Sequence, residues 1–166
     1  MQHEDTDDIG TIEDMAAVML KTAQELHEDA HDLYQIGIKK NRMTSFKSTV
    51  NRSYYAAFSA ISALHTLDGR HFKRHGQAIG AFNYYYIRTG IFDSSFNSDA
   101  EKLKEFRHSG DYAFERKFTK GDAKTALHIS KRLIAAIKGY CFDNFPNVKK
   151  TYMKLNDVPS PSSPRH

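Results

Sequence analysis

A chain of 166 residues with 40% hydrophobic and 27% charged residues has the size and composition of one globular domain, which excludes a disordered protein. No apolar run approaches a membrane span, no basic-then-apolar segment opens the chain, and the single cysteine, Cys141, excludes an internal disulfide or a cysteine-based zinc site. The expectation is therefore a cytoplasmic protein with no membrane partner. The net charge of +4 is segregated: residues 1–35 hold ten acidic groups against one basic (−9), and the remainder holds 23 basic against 10 acidic (+13). That division favours a polyanion or an oppositely charged surface as partner, with solvated helix faces as the alternative.

The elements follow in chain order. Residues 1–10 are expected to be a flexible N-terminus, and Thr11 is a candidate N-cap with Glu13 and Asp14 in the first turn behind it. Ile12, Met15, Met19, Leu26, Ala30 and Leu33 then recur at helical spacing. A second helix is predicted from about Ser45 to Leu67, through Phe46, Val50, Tyr54, Ala57, Ile61 and Leu64, and stopped by Gly69. A third covers roughly residues 75–88, with Ile79, Phe82 and Tyr86 on one side. The fourth opens at Ser98, where Ser98 and Glu101 fit a capping box, and runs through Leu103 and Phe106. The fifth starts near Thr119 and carries Ala123, Ala126, Ser130, Leu133, Ile137 and Cys141 close to a heptad spacing. Gly10, Gly37, Gly69, Gly90 and Gly121 are read as punctuation between these segments. All four prolines lie at position 146 or beyond, so nothing earlier must break a helix. No segment alternates with period two. The fold expected for 11–145 is all-α, an antiparallel up-and-down bundle of four to five helices, with 146–166 a Pro/Ser-rich tail that is disordered or draped on the surface.

Three constellations carry chemical meaning. His27-Glu28-x-x-His31 matches the zinc-hydrolase pattern, in which two imidazoles one turn apart reach one metal and the Glu acts as base; no third ligand follows, and a solvated helix face explains it equally. The tyrosine-rich middle, Arg52-Ser-Tyr54-Tyr55 and Tyr84-Tyr85-Tyr86, offers rings beside basic residues that can stack on unpaired bases, or rings packed inward with hydroxyls at the rim. Arg107-His108-Ser-Gly-Asp111-Tyr112 puts Arg107 and Asp111 one turn apart, with His108 and Tyr112 on the adjacent strip. A guanidinium to hold phosphate, an imidazole to move a proton and a phenol to donate a hydrogen bond suit phosphodiester chemistry. An Arg107–Asp111 salt bridge beside an exposed histidine is the other reading.

Taken in order, Arg52-x-Tyr54-Tyr55-Ala56-x-Phe58, then Lys73-Arg74-His75-Gly76 with Phe82, then Arg107-x-x-x-Asp111-Tyr112 resembles the HEPN domain family, over about residues 11–142. The resemblance is to the small stand-alone branch found in toxin–antitoxin and defence modules. It implies a homodimer, often paired with a minimal nucleotidyltransferase antitoxin, and no cofactor. Active HEPN ribonucleases carry an Arg followed after four to six residues by a His, and two copies meet in a cleft that cleaves RNA without metal. The resemblance thus implies catalytic roles for Arg107, His108, Asp111 and Tyr112, and RNA or nucleotide binding by Arg52, Tyr55 and His75. Tyr112 stands where the second His would be, and an unperturbed phenol, titrating near ~10, is a poor base at neutral pH. The tyrosine that some toxins of this group present for adenylylation has Phe114 in its place. A non-catalytic module binding nucleotide, RNA or a nucleotidyltransferase is the alternative.

Overall fold

The computed structural model describes residues 10–112 and 116–157, the side chains of 110–112 excepted. Among the described residues there are six α-helices and no strand, and none of the helices is long and apolar enough to cross a membrane. The expected all-α bundle is what forms.

Helix α1 (Ile12–Lys40) starts as its first residues dictate: the Thr11 hydroxyl accepts from the Asp14 backbone N–H at 3.1 Å. Asn41 ends it in the left-handed region (φ 47°, ψ 49°), and only Asn41 and Arg42 separate it from α2 (Met43–Leu67). So short a link forces the two helices antiparallel. Their contact is built on small side chains: Ala16, Ala17, Ala23 and Ala30 of α1 are buried, as are Ala56, Ala57, Ala60 and Ala63 of α2. Here the expected apolar face of α1 is corrected. Ile12 and Met15 are exposed, because close approach of two helix axes selects the alanine stripe with Leu20 and Tyr34, not the bulkiest side chains.

Gly37 is corrected too. It lies inside α1, not between segments, and a Cβ built on it would fall 2.6 Å from Cε1 of Phe46. A glycine-to-alanine change in an open helix stabilises by about 1 kcal/mol. Gly37→Ala is expected instead to destabilise by roughly 1–3 kcal/mol, because the 6%-exposed Phe46 ring must move. A urea midpoint unchanged or raised in that variant would show that the ring yields freely.

Helix α3 (His75–Phe82) does not continue as a plain α-helix to 88; Asn83–Ile87 form one π-helical turn, closed by the Arg88 N–H on the Asn83 carbonyl at 2.9 Å. Helix α4 (Ser95–Tyr112) begins three residues before the expected capping box. The Asp93 carboxylate accepts from the Ser95 N–H at 2.9 Å and so supplies an earlier start, leaving Ser98 inside the helix. Helix α5 (Lys120–Asn144) has its full capping box between Thr119 and Asp122, and its heptad-spaced residues are buried as expected.

The tail expectation fails for its first half. Residues Pro146–Asn156 form α6, with Pro146 in its first turn, and Val148 and Tyr152 are buried against the bundle. Proline there starts a helix, since the missing N–H is one the first turn leaves unbonded anyway. Residues 158–166 lie outside the described residues. Helix α2 is the centre of the molecule, touching α1, α3, α4 and α5, and its N-terminal half carries the wall on which the site is built.

Candidate functional site

Phe46, Val50, Tyr54, Ala57 and Ile61 turn one face of α2 into the core, which places Tyr54 under α4 and leaves Tyr55 half-buried beside it. On α4, Leu103 and Phe106 are buried at 1% and 2% exposure, and that fixes the helix rotation. Arg107 and Lys104 therefore look along the seam between α2 and α4, and the start of α3 brings His75 to its mouth. The result is a cleft of about 440 Å³ lined by Tyr54, His75, Lys104, Arg107 and His108, with Glu101 and Glu105 also on its wall.

Arg107 is held by aromatics. Its Cζ lies 5.2 Å from the Tyr54 ring centroid and 5.6 Å from that of Tyr55, and its Nη2 donates to the Tyr55 hydroxyl at 3.4 Å. Contact with the two rings helps to hold the guanidinium in place. His75 is clamped as well: its ring stacks on Phe58 at 3.9 Å, and its Nδ1 shares a 3.0 Å hydrogen bond with the Tyr54 hydroxyl. Burial, and then the Arg107 guanidinium, hold its imidazole below the ordinary histidine range. His75 thus senses the charge on Arg107 although the two come from different elements.

The carboxylates on the wall face cations of their own helix: Glu101 pairs with Lys104 at 3.5 Å, and Glu105 with Lys102 at 3.9 Å. Without those pairs they would repel an anion entering the cleft. Beyond the end of α4, Arg116 donates to the Ser109 hydroxyl at 3.0 Å and covers the Phe106 and Phe118 rings at 5.3 and 5.0 Å.

Of the residues singled out in the sequence, Tyr55, His75, Arg107 and His108 come together here. Arg52 does not line the His75 cleft; it is exposed in an adjoining groove with Leu33, Ser48, Asn51 and Tyr55. The side chains of Asp111 and Tyr112 lie outside the described residues, although the α4 backbone reaches both. Lys104 and the tie between Tyr54 and His75 went unread in the sequence. Lys104 was within reach of helical periodicity, three residues before Arg107, whereas the Tyr54–His75 bond joins α2 to α3 and has no local signal.

The His27-Glu28-x-x-His31 motif gains no third ligand, and among the described residues no group of three or more His, Cys, Asp or Glu side chains converges. His27 Nδ1 is 2.7 Å from the Ser130 hydroxyl, while the Glu28 carboxylate accepts from Gln24. Burial, His31 and Lys131 keep the His27 imidazole below its ordinary range, with Glu28 opposing. A ring tied to α5 and flanked by Lys131 is a poor start for a cation site.

Comparison with known proteins agrees with the all-α fold. The HEPN domain profile matches residues 16–140, which takes in α1 to α5. A UPF0332 protein of Thermotoga maritima is 30% identical over 118 residues, covering 71% of this chain and 84% of the relative.

Proposed function

The chain belongs to the HEPN domain family, and on that premise we propose that it is an RNA-directed protein of a toxin–antitoxin or defence module, cleaving RNA in the Arg107 cleft of a homodimer without metal. One observation carries the reading. A cation held by two tyrosine rings shares a single cleft with two histidines, His75 and His108.

The guanidinium of Arg107 holds the non-bridging oxygens of a phosphodiester and stabilises the extra charge of the phosphorane. The neighbouring 2′-OH attacks phosphorus and yields its proton, the bond from phosphorus to the 5′ oxygen breaks, and that oxygen takes up a proton. His108 on α4 shuttles the proton, and the products are a 2′,3′-cyclic phosphate and a 5′-hydroxyl end. Asp111 and Tyr112, one turn along α4, order the site. Arg52 and Tyr55 extend the binding surface into the adjoining groove, and a second copy of the chain closes the cleft.

Purified protein incubated with single-stranded RNA and excess EDTA is expected to cut it and leave those two ends. Cleavage abolished by EDTA, or 3′-hydroxyl products, would overturn the mechanism. Tyr112, standing where active members have a second His, favours one other reading: the same cleft binds RNA, nucleotide or a nucleotidyltransferase antitoxin without cutting. A protein inert on RNA yet tightly bound to the product of the adjacent gene decides for it.

A further inference from the structure

Away from the cleft, the π-helical turn Asn83–Ile87 buries Tyr86 and Ile87 and turns Tyr84 and Tyr85 outward, at 58% and 40% exposure. Their rings meet edge to face at 4.9 Å. Each also carries a guanidinium: Arg70 Cζ lies 3.7 Å from the Tyr85 centroid, and Arg88 Cζ lies 5.4 Å from that of Tyr84. Arg70 is not loose. It donates to the Asp68 carboxylate at 2.7 Å and to the Tyr86 hydroxyl at 2.9 Å, and Tyr86 donates to Asp68 in turn. Of the two exposed rings, Tyr85 is thus seated on a fixed cation and Tyr84 on Arg88, at a π-turn, a feature frequent at functional sites.

The loop that brings Arg70 here continues to the cleft. Phe72 anchors it by packing edge-on against the buried His65 ring at 4.7 Å, while His71, Lys73 and Arg74 face solvent. Arg74 is followed directly by His75, one of the two histidines of the Arg107 cleft. Five residues of chain span at most about 18 Å, so the tyrosines and the cleft lie within the length of a short single strand. Between them the chain presents exposed positive charge. The nearby carboxylates are engaged: Asp68 by Arg70 and Tyr86, Asp93 by the first turn of α4.

We infer that Tyr84 and Tyr85, with Arg70 and Arg88, form a stacking platform for unpaired bases of a single-stranded RNA, whose backbone follows the Arg70–Arg74 loop to the cleft. The inference deepens the RNA reading proposed above and rests on it for the identity of the ligand. Rings take any base by their faces, and arginine adds cation–π attraction, so the platform supplies affinity for single strands with little sequence preference. Tyrosine and arginine are also enriched at protein–protein hot spots. The run of cations leading to a phosphate-binding cleft is what favours RNA.

The test uses the full chain and a fluorescent single-stranded RNA of about a dozen nucleotides, read by anisotropy, with the same length of duplex as comparison. Wild type is expected to bind the single strand at least about tenfold more tightly than the duplex. A Tyr84→Ala/Tyr85→Ala double variant loses about tenfold or more, while Tyr84→Phe/Tyr85→Phe, which keeps the rings, stays within about threefold. Both positions are exposed, and a thermal melt checks that the alanine variant folds. Equal binding of single strand by wild type and the alanine variant overturns the platform, as does equal binding of duplex. Loss of a protein partner with RNA affinity unchanged assigns the patch to protein recognition instead. The two readings separate cleanly: if wild type binds but never cuts, and the alanine variant loses binding, the platform stands and the ribonuclease falls.

Discussion

Arg107→Ala is expected to slow RNA cleavage by about 100- to 1,000-fold, the usual effect of removing one charged donor from a transition state. The loss belongs in the chemical step, because the phosphorane carries more charge than the bound diester and gains most from the guanidinium. Arg107→Lys restores little. A lysine keeps the charge but lacks the planar fork that grips two phosphate oxygens, and it lacks the flat face that lies over Tyr54 and Tyr55. Single-turnover cleavage with protein in excess measures this directly. The variant must also melt near the wild-type temperature, since Arg107 is half-buried and its removal strips a contact from the Tyr55 hydroxyl. A folded Arg107→Ala protein that cuts at the wild-type rate would remove Arg107 from the chemistry.

The second large effect concerns stability. A chain ending at Phe145 is expected to lose roughly 3–5 kcal/mol and about 10 °C in Tm, because it uncovers the surface that α6 buries. Val148 is 0% and Tyr152 5% exposed, and the Tyr152 ring meets Phe142 edge-on at 5.2 Å. Two polar ties to α1 go with them: Lys21 Nζ donates to the Leu155 carbonyl at 2.9 Å, and the Thr151 hydroxyl donates to the Asp14 carboxylate at 2.6 Å. The Thr151 bond, with that from Thr11, holds the Asp14 carboxyl below its ordinary range. Tyr152→Ala alone should account for much of the loss, about 3 kcal/mol, by urea unfolding. If both proteins unfold with the full-length midpoint, α6 is dispensable.

What the sequence revealed and what it hid divide along physical lines. Local signals were legible: the Thr11 cap, the start of α5 near Thr119, the glycine stop at 69, and the heptad-like face of α5 all depend on residues within a turn or two of each other. Tertiary selections were not. The alanine stripe of α1 is chosen by how closely α2 approaches, and Gly37 by the Phe46 ring, so neither follows from apolar periodicity. Helix α6 escaped notice because Pro146 reads as a breaker unless a helix is already expected behind it. In the site, the grouping of Arg107, His108, His75 and Tyr55 in one region followed from the family resemblance, whereas the separation of Arg52 into an adjoining groove depends on the rotation of α2 about its axis.

A phosphodiester in the cleft between Arg107 and His75 is what the proposed chemistry requires. Proton–carbon spectra of the nine histidine rings, titrated with a dinucleotide lacking the attacking 2′-OH, test it without requiring cleavage. Saturable shifts are expected at His75 and His108 and none at His27, which is tied to Ser130 on α5. The sign is fixed as well. The phosphate charge offsets the guanidinium that depresses His75, so the His75 pKa rises on binding; Arg107→Ala raises it without ligand and abolishes the further change. Unmoved His75 and His108 signals at saturating dinucleotide, or the same shifts in Arg107→Ala, would contradict it.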